Sequence, residues 1–315
     1  MNISLSDVRN VYPEAIDKSR LKKYDITDYK QTEIPKRSGG TRLIEEPNEK
    51  LKKKQEELLD KYRNKDYLYP SWFAHAFLQK RNIVTAAKPH VGRNYVYRTD
   101  VKDFFGSINI QNTLVHTEID PRDTDQVMDL ALCFKFNEDN PSENHLPQGA
   151  PTSPFISNAY MRNLDWRLAR FCAKPAVSEV KDSENAVYYT RYADDLFFSS
   201  DNKFWLNKVI DWIPKLLTYY NLEENKEKQK MMENGERKEV CGIVVNEKLN
   251  LPREKRKAIR AALHNAKFDS RGYDEERHGL KSLRNMVNNQ EEFPDNNVEV
   301  VQSLSAMEDI SDLNL

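Results

Sequence analysis

Two adjacent aspartates inside a β-favouring stretch constrain this chain more than any other feature. Val187–Tyr192 precedes the pair and Leu196–Ser200 follows it, so the sequence predicts two short strands that meet at Asp194 and Asp195. Two carboxylates about 4 Å apart repel each other by on the order of 1 kcal/mol in water, and by several times more in a partly dry site. A hairpin tip that keeps both ionised needs a cation, and Mg²⁺ prefers such hard oxygen ligands. The pattern therefore predicts a metal site that supports phosphoryl chemistry.

Length and composition limit the fold and the partners. The chain has 315 residues, of which 38% are apolar, and it contains 15 Tyr and 13 Phe. This is enough for a sizeable core, in one multi-lobed domain or in two smaller ones. The formal net charge is -1, so the molecule as a whole does not attract nucleic acid. Any nucleic-acid surface must come from local clusters of Lys and Arg.

The compartment follows from cysteine usage and from the N-terminus. Cys133, Cys172 and Cys241 lie far apart and lack metal-ligand spacing, so we expect reduced thiols in a cytoplasmic protein. Met1–Asp7 lacks the charged and apolar regions of a signal peptide. No apolar run approaches about 20 residues, so no membrane span is expected.

A second acidic strand end lies upstream of the aspartate pair. Metal-assisted phosphoryl transfer with two ions needs carboxylates from separated strands, which hold the ions about 3.5–4 Å apart. The alternating segment Asn94–Thr99 predicts a strand that ends at Asp100, and Asp103–Phe105 would begin the next turn or helix. The sequence therefore predicts a site that combines Asp100 with the hairpin aspartates, although each could also be an ordinary acidic residue at a turn.

Local patterns predict further elements. They comprise short helices within 1–30, a strand–glycine turn–strand over 34–44, a charged helix over 47–63, helical structure over 111–135, a polar loop over 138–146, a helix over 204–220, a strand over 240–245 and a basic helix over 253–266. Ser153 and Pro154 mark another helix start, because Ser caps helices and Pro suits the first helical position. Its buried face would carry Ile156, Tyr160, Leu164 and Leu168.

Three motifs in a fixed order resemble the palm of a reverse transcriptase. They are Asp-x-x-Asp-Phe-Phe at Asp100–Phe105, the segment Leu146–Pro154, and Tyr-Ala-Asp-Asp at Tyr192–Asp195. The resemblance covers roughly residues 35–265.

Two flanking motifs narrow the resemblance to bacterial retron reverse transcriptases. Ala86–His90 is similar to their Asn-Ala-x-x-His motif, and Val240–Gly242 is similar to their Val-Thr-Gly motif. Ala86 replaces the Asn and Cys241 replaces the Thr. These departures put retron-specific RNA recognition in question and leave the polymerase resemblance intact.

The resemblance implies an α+β, right-hand polymerase fold with fingers, a palm of antiparallel sheet plus helices, and a small helical thumb. The implied domains are an N-terminal helical extension over 1–30, fingers over 31–93, a palm with finger insertions over 94–246, and a thumb with an acidic C-terminal tail over 247–315.

The resemblance also assigns roles around the metal site. Asp100, Asp194 and Asp195 would bind two Mg²⁺ ions, with Asp100 and Asp194 as the main ligands. The implied dNTP-binding residues are Arg42 for the triphosphate (assisted by Lys36 and Arg37), Phe105 beneath the sugar, Gln148 with Gly149 at the nucleotide and template, and Lys228 as a general acid at the pyrophosphate. Each assignment has a structural alternative. Arg42 would be an ordinary surface arginine and Phe105 a core residue, Gln148–Gly149 would be only a turn before the helix, and Lys228 would be a solvated lysine.

The resemblance implies nucleic-acid contacts at both flanking motifs and in the basic helix over 253–266. His90 would contact RNA or close the palm, and Gly242 would allow the backbone to approach the primer or merely kink a strand. The basic helix would lie on the phosphates of the template–product duplex, or it would be only a solvated charged face. Its candidate contacts are Arg253, Arg256, Lys257 and Arg260.

A retron-type enzyme would copy a structured non-coding RNA from dNTPs, starting at a 2′-OH within that RNA. Its branched RNA–DNA product (msDNA) would stay bound, in an antiphage system whose effector is a separate protein, since no effector domain is apparent here. One alternative is another bacterial reverse transcriptase, of the diversity-generating, abortive-infection or intron-derived type. A long maturase domain of the intron type is absent. The other alternative is an inactive nucleic-acid-binding scaffold, against which the intact aspartates argue.

Overall fold

The computed structural model describes residues 18–26, 29–36, 39–65, 68–137, 143–178 and 186–265. Its helices are α1 Lys18–Tyr24, α2 Glu49–Tyr62, α3 Ile83–Ala87, α4 Phe104–Ser107, α5 Ile110–His116, α6 Thr124–Ala131, α7 Ser153–Ser178, α8 Lys203–Tyr219 and α9 Arg253–Asn265. Its strands are β1 Tyr29–Pro35, β2 Thr41–Pro47, β3 Tyr95–Asp100, β4 Lys135–Phe136, β5 Asn144–His145, β6 Tyr188–Tyr192, β7 Asp195–Ser200, β8 Lys230–Met232, β9 Glu239–Val240 and β10 Ile243–Val244. Antiparallel sheets together with helices confirm the α+β prediction.

The chain divides into two compact units, and each is built from separated segments. The first unit contains the described residues within Met1–Trp72, Val101–Arg167 and Trp212–Asn225. The second contains those within Phe73–Asp100, Leu168–Asp211 and Lys226–Leu315. The domain boundaries predicted from the sequence stay a prediction.

A four-stranded antiparallel sheet forms the centre of the second unit, in the order β6-β7-β3-β8. The register of β3 against β7 runs from Tyr95 opposite Ser200 to Asp100 opposite Asp195. Since side chains alternate along a strand, one face of the sheet carries both carboxylates together with Val96. On that face Val96, Phe197 and Met232 belong to the same buried cluster as residues of β9 and β10. Apolar burial therefore fixes the register that brings Asp100 opposite Asp195.

His90 is buried within the second unit and joins two strands of the sheet. Its Nδ1 lies 2.6 Å from Ser199 Oγ, and its Nε2 lies 2.7 Å from Thr190 Oγ1. The Thr190 hydroxyl donates to the Ala86 carbonyl at 3.0 Å, so it accepts from Nε2, and Nδ1 accepts from Ser199. Burial lowers the pKa of His90 to about 3, so the ring is neutral. This arrangement favours the alternative in which His90 closes the palm.

The first unit contains a two-stranded hairpin of β1 and β2, paired from Tyr29–Pro47 to Pro35–Thr41. The helix α2 follows it, and the Asn48 side chain caps that helix by accepting from Leu51 N at 3.0 Å. The buried face of α2 carries Leu51, Gln55, Leu58 and Tyr62. The predicted strand–turn–strand and the charged helix are both confirmed.

The helix α7 begins at Ser153, one residue before the first helical position that the sequence predicts. Ser153 lies inside the helix, and its Oγ donates to the Pro147 carbonyl at 2.7 Å. Ser153 thus ties the helix start to the preceding loop rather than capping the helix. The four predicted inner positions of α7 are buried, as are most apolar positions of the helix up to Ala173.

Three local predictions need correction or fall outside the described residues. The predicted strand over 240–245 is a hairpin, because Cys241 and Gly242 turn the chain between β9 and β10 with positive φ angles. Helical structure over 111–135 is interrupted between α5 and α6, where the Asp123 side chain caps α6 by accepting from Gln126 N. The predicted extension over 1–30 includes the start of β1, whereas residues 1–17 and the acidic tail beyond residue 265 lie outside the described residues. Within the described part of the chain, no helix combines the length and apolarity of a membrane span.

Replacement of His90 by Ala should destabilise the protein by about 2–4 kcal/mol, because a cavity forms and two buried hydroxyls lose partners. Urea unfolding at neutral pH measures this change. The control is Lys53→Ala on the exposed side of α2, which should change the free energy of unfolding by less than about 0.5 kcal/mol. A loss below about 1 kcal/mol for His90→Ala would contradict the structural role.

Candidate active site

Three carboxylates meet at one end of the sheet in the second unit. Asp100 is the last residue of β3 and is 1% exposed. Asp195 is its direct partner on β7, and Asp194 lies in the two-residue turn between β6 and β7. Ala193, the other turn residue, has φ +57°, a left-handed conformation that a residue with a Cβ adopts only with some strain. The strain lies at Ala193, and the turn places Asp194 beside the strand pair.

This cluster concentrates negative charge. Burial, followed by repulsion from Asp195, raises the pKa of Asp194 above its usual value. Burial also raises the pKa of Asp195, although Arg98 opposes that shift. Like charges directly opposite each other destabilise a sheet, so the cluster needs compensating cations.

Two basic side chains provide part of that compensation. Lys228, at the end of the short turn Lys226–Lys228, forms an ion pair with Asp100 Oδ2. Arg98 on β3 donates to Asp195 Oδ1 from Nε at 3.2 Å and from Nη2 at 2.9 Å. The structure thus brings the predicted Lys228 to the predicted carboxylates.

The carboxylates fit a divalent cation by their chemistry. Asp100 Oδ1 is buried and has no hydrogen-bond partner among the described atoms, which is the state expected of an oxygen that serves as a metal ligand. Over the ranges that the structure describes, no group of three or more His, Cys, Asp or Glu side chains is already arranged around a metal position. In this conformation Lys228 binds one carboxylate oxygen of Asp100, and Arg98 binds one carboxylate oxygen of Asp195.

Arg98 and Arg191 belong to this site, and sequence reasoning missed both. Arg191 on β6 is fully buried, and its Nη1 donates to the Ala193 carbonyl at 3.0 Å. It therefore supports the strained turn that carries Asp194. A charged residue in the middle of each of these strands was the available signal, since buried charges in strands require partners.

The β9–β10 turn lies close to the carboxylates. Cys241 has φ +50° and Gly242 has φ +73°, the signs of a type I′ turn. Burial, together with the nearby Asp195 charge, raises the pKa of the Cys241 thiol, so the thiol is protonated at neutral pH. A Cβ at Gly242 would lie 2.7 Å from Lys255 Nζ on α9. Because Lys255 Nζ is the end of a flexible side chain that can move aside, the positive φ rather than this contact accounts for glycine at the second turn position.

Apart from Lys228, the predicted nucleotide-binding residues belong to the first unit. Arg42 is exposed on β2. Further along β2, Glu45 N donates to the Gln148 carbonyl at 2.7 Å, and a Cβ at Gly149 would lie 2.8 Å from Glu45 O. Phe105 is half-buried on α4, with its ring 5.3 Å from the buried Phe104 ring. The structure therefore joins the Arg42 strand to the Gln148–Gly149 turn.

The basic helix α9 has its charges in solvent. Its four predicted contacts, Arg253, Arg256, Lys257 and Arg260, are all exposed. Lys255 Nζ donates to the Gly242 carbonyl at 3.4 Å, which links the helix to the β9–β10 turn. The exposed side chains are available for phosphate contacts, which stay a prediction. Arg37, which was predicted to assist Arg42 at the triphosphate, lies outside the described residues. Lys36, predicted for the same role, is exposed directly after β1.

Replacement of Gly149 by Ala should destabilise the protein by about 1–3 kcal/mol, because φ is +138° and the new Cβ would approach Glu45 O. Thermal unfolding measures the change. Gly235→Ala is the matched control, since its φ is +92° with nothing within 4 Å, so it has only the backbone cost. Equal losses for the two variants would contradict the close approach of the turn to β2.

Comparisons with known proteins agree with this geometry. Residues 34–288 match the model of the family described as reverse transcriptase (RNA-dependent DNA polymerase). The chain is 34% identical over 280 residues to the retron Mx65 reverse transcriptase of Myxococcus xanthus, with 84% of this chain and 62% of that protein covered. It is 29% identical over 249 residues to the retron Ec83 reverse transcriptase of Escherichia coli, with 76% of each protein covered. The chain thus spans less than two thirds of the length of the first of these relatives.

Among solved structures, the telomerase of Candida albicans in complex with a telomeric RNA fragment matches with a TM-score of 0.47 and 11% identity, over 71% of this chain and 46% of that one. The family model extends from the β1–β2 hairpin past α9 and includes all three aspartates. The sheet that carries them is the palm of a right-hand polymerase fold. The chain therefore belongs to the reverse transcriptase family, with bacterial retron enzymes among its relatives.

Proposed function

We propose that this protein is an RNA-directed DNA polymerase of the retron type. The observation that carries the proposal is the cluster of the buried Asp100 with the half-buried Asp194 and Asp195. One carboxylate oxygen of Asp100 has no hydrogen-bond partner among the described residues, and two basic residues balance part of the charge. A structural role for these residues would not require three acids at the same end of a sheet. The likeness to retron reverse transcriptases in sequence supports the substrate class.

The three aspartates would hold divalent cations, and we propose two Mg²⁺ ions. When bound, these ions would neutralise the triphosphate and increase the acidity of the attacking hydroxyl. Burial raises the pKa values of Asp194 and Asp195, whereas the charge of Lys228 opposes both shifts and Arg98 opposes that of Asp195. The site is therefore electrostatically prepared for a cation.

The proposed reaction is a nucleotidyl transfer. The oxygen of the primer hydroxyl forms a bond to the α-phosphorus of a dNTP, and the bond from that phosphorus to the bridging oxygen breaks. The hydroxyl loses its proton to solvent, and pyrophosphate leaves. Lys228 would donate a proton to the departing pyrophosphate, since its ammonium group is already beside Asp100.

Besides Lys228, the proposed nucleotide-binding residues belong to the first unit. The guanidinium of Arg42 suits bidentate contacts with phosphate oxygens. Gln148 offers both a donor and an acceptor, and Gly149 permits close approach of the backbone. We propose that the Phe105 ring lies beneath the sugar, where it would clash with a ribose 2′-OH and so favour dNTPs.

The nucleic acid would be bound mainly through phosphates. The exposed charges of α9 suit the backbone of an RNA–DNA duplex, which is recognised by shape and phosphates rather than by base edges. Gly242 would let the β9–β10 turn approach the primer strand. His90 would act indirectly, by closing the palm.

The further partners are proposed from the retron resemblance. They are a structured non-coding RNA, the branched product made from it, and a separate effector protein in an antiphage system. The free thiols of Cys133, Cys172 and Cys241 support a cytoplasmic location.

Another type of bacterial reverse transcriptase is the second candidate, and the residues at positions 86 and 241 favour it. Ala86 interacts with Thr190 through its backbone carbonyl, so this described contact does not require a particular side chain there. Retron-type folding of the palm is therefore compatible with Ala86. An inactive scaffold is the least supported alternative, because it would not need the charged cluster.

Asp194→Ala combined with Asp195→Ala should abolish incorporation of labelled dNTP on a primed RNA, by at least about 10³-fold, because the cation ligands are lost. EDTA should have the same effect on the wild-type protein, and added Mg²⁺ should restore activity. Asp211→Ala, an exposed acid on α8, is the control and should retain full activity. A wild-type protein that incorporates no dNTP would refute the enzymatic proposal.

The retron proposal predicts that protein purified from its native locus carries RNA covalently joined to DNA. After phenol extraction, RNase treatment should shorten the species and leave a DNA strand. The double aspartate variant should retain RNA without DNA, since α9 is unchanged. Two separate species, or none, would contradict the retron type while leaving polymerase activity open.

A further inference from the structure

Glu45 is a buried carboxylate that the proposed chemistry does not use. It lies on β2 in the first unit and is 5% exposed. Lys135 on β4 donates to its Oε1 at 2.5 Å, and Gln31 on β1 donates to the same oxygen at 3.2 Å. His145 Nε2 on β5 lies 2.7 Å from its Oε2. We refer to these four residues as the Glu45 cluster.

The carboxylate of Glu45 is ionised under all ordinary conditions. Burial alone would raise its pKa, but the hydrogen bonds from His145 and Lys135, with their charges, outweigh burial and lower the pKa to about 2. An ionised group in the interior is tolerated only while its partners remain. The cluster therefore holds β1, β2, β4 and β5 together, and loss of one charge leaves its partner uncompensated.

The backbone of the same residue holds the Gln148–Gly149 turn. Glu45 N donates to the Gln148 carbonyl at 2.7 Å, and the Glu45 carbonyl oxygen lies only 2.8 Å from the position that a Cβ at Gly149 would take. His145 contacts the Glu45 side chain only three residues before Gln148. The segment 145–148 is thus fastened to one residue at both of its ends.

We propose that Glu45 is a positioning residue that fixes the Arg42 strand relative to the Gln148–Gly149 turn and thereby sets the affinity for the incoming dNTP. Arg42 lies three residues before Glu45 on the same strand. The inference rests on the proposed function, because it assumes that Arg42 and Gln148 bind the nucleotide. Glu45 itself need not touch the substrate, since it acts through the two elements that it joins.

Glu45→Gln tests this role, because it preserves size but removes the charge. Steady-state incorporation on a primed RNA should show a KM for dNTP that rises on the order of tenfold, the effect of losing a charge-assisted hydrogen bond. The kcat should stay within about twofold, because uniform binding is lost rather than transition-state stabilisation. Combining Glu45→Gln with Lys135→Met removes both charges. The KM for dNTP of this double variant should therefore lie between those of Glu45→Gln and the wild-type protein.

Asp129→Asn is the matched control. Asp129 is another buried carboxylate of the first unit, and it accepts from Lys61 at 2.6 Å and from Tyr62 at 2.8 Å, both on α2. This variant should lower the melting temperature without changing the KM. His145→Ala alters the half-exposed edge of the Glu45 cluster and should raise the KM for dNTP less than Glu45→Gln does. This second variant allows the role to be tested even if Glu45→Gln does not fold.

The outcomes separate the two proposals. An unchanged KM in Glu45→Gln and His145→Ala, or an equal rise in Asp129→Asn, would overturn the positioning role while leaving the polymerase proposal in place. A wild-type protein without dNTP incorporation would overturn both. A KM rise confined to the Glu45 cluster, with partial recovery in the double variant, would support the inference.

Discussion

Mutual repulsion among three carboxylates, one buried and two half-buried, is the constraint on which the second unit depends. The sheet register places Asp100 directly opposite Asp195, and the turn adds Asp194. The compensating charges come from Arg98 on β3 and from Lys228, which lies at the end of the separate segment Lys226–Lys228. Because the acids come from two strands and the turn beside them, and Lys228 comes from a separate segment, the cluster forms only when strands and turn are correctly assembled.

The surrounding structure supports this cluster by different means. Arg191 holds the strained Ala193 turn from inside the protein, and His90 ties β6 to β7 through neutral hydrogen bonds. The apolar cluster shared with β9 and β10 fixes the face on which the acids lie. Strain, polar contacts and apolar burial thus act on the same few strands, as expected where a site must be rigid before its ligand arrives.

Much of the fold could be predicted, because the relevant signals are local. The alternation before Asp100 and the turn at the aspartate pair identify strands, and four-residue periodicity identifies α7. Failures came where backbone conformation overrides residue preference. Val240–Val245 has the composition of a strand, yet Cys241 adopts a left-handed conformation that cysteine seldom favours.

The predicted site was incomplete for a related reason. The acids could be found from their motifs, but Arg98 and Glu45 act through partners on other strands, and Arg191 acts through the backbone of the turn that follows its strand. Only the three-dimensional register reveals such pairs. A charged residue within an apolar strand signals that a partner exists, but it does not identify the partner.

The interleaving of the two units has a consequence for synthesis. Each unit takes segments from both early and late parts of the chain, so neither can finish folding while the ribosome is still adding its last segment. The first unit is incomplete until residues 212–225 have been synthesised. The palm sheet is incomplete until Met232, the last residue of β8, leaves the ribosome. One edge of β3 therefore stays unpaired while more than a hundred further residues are synthesised. Chaperone binding would protect this edge during that period.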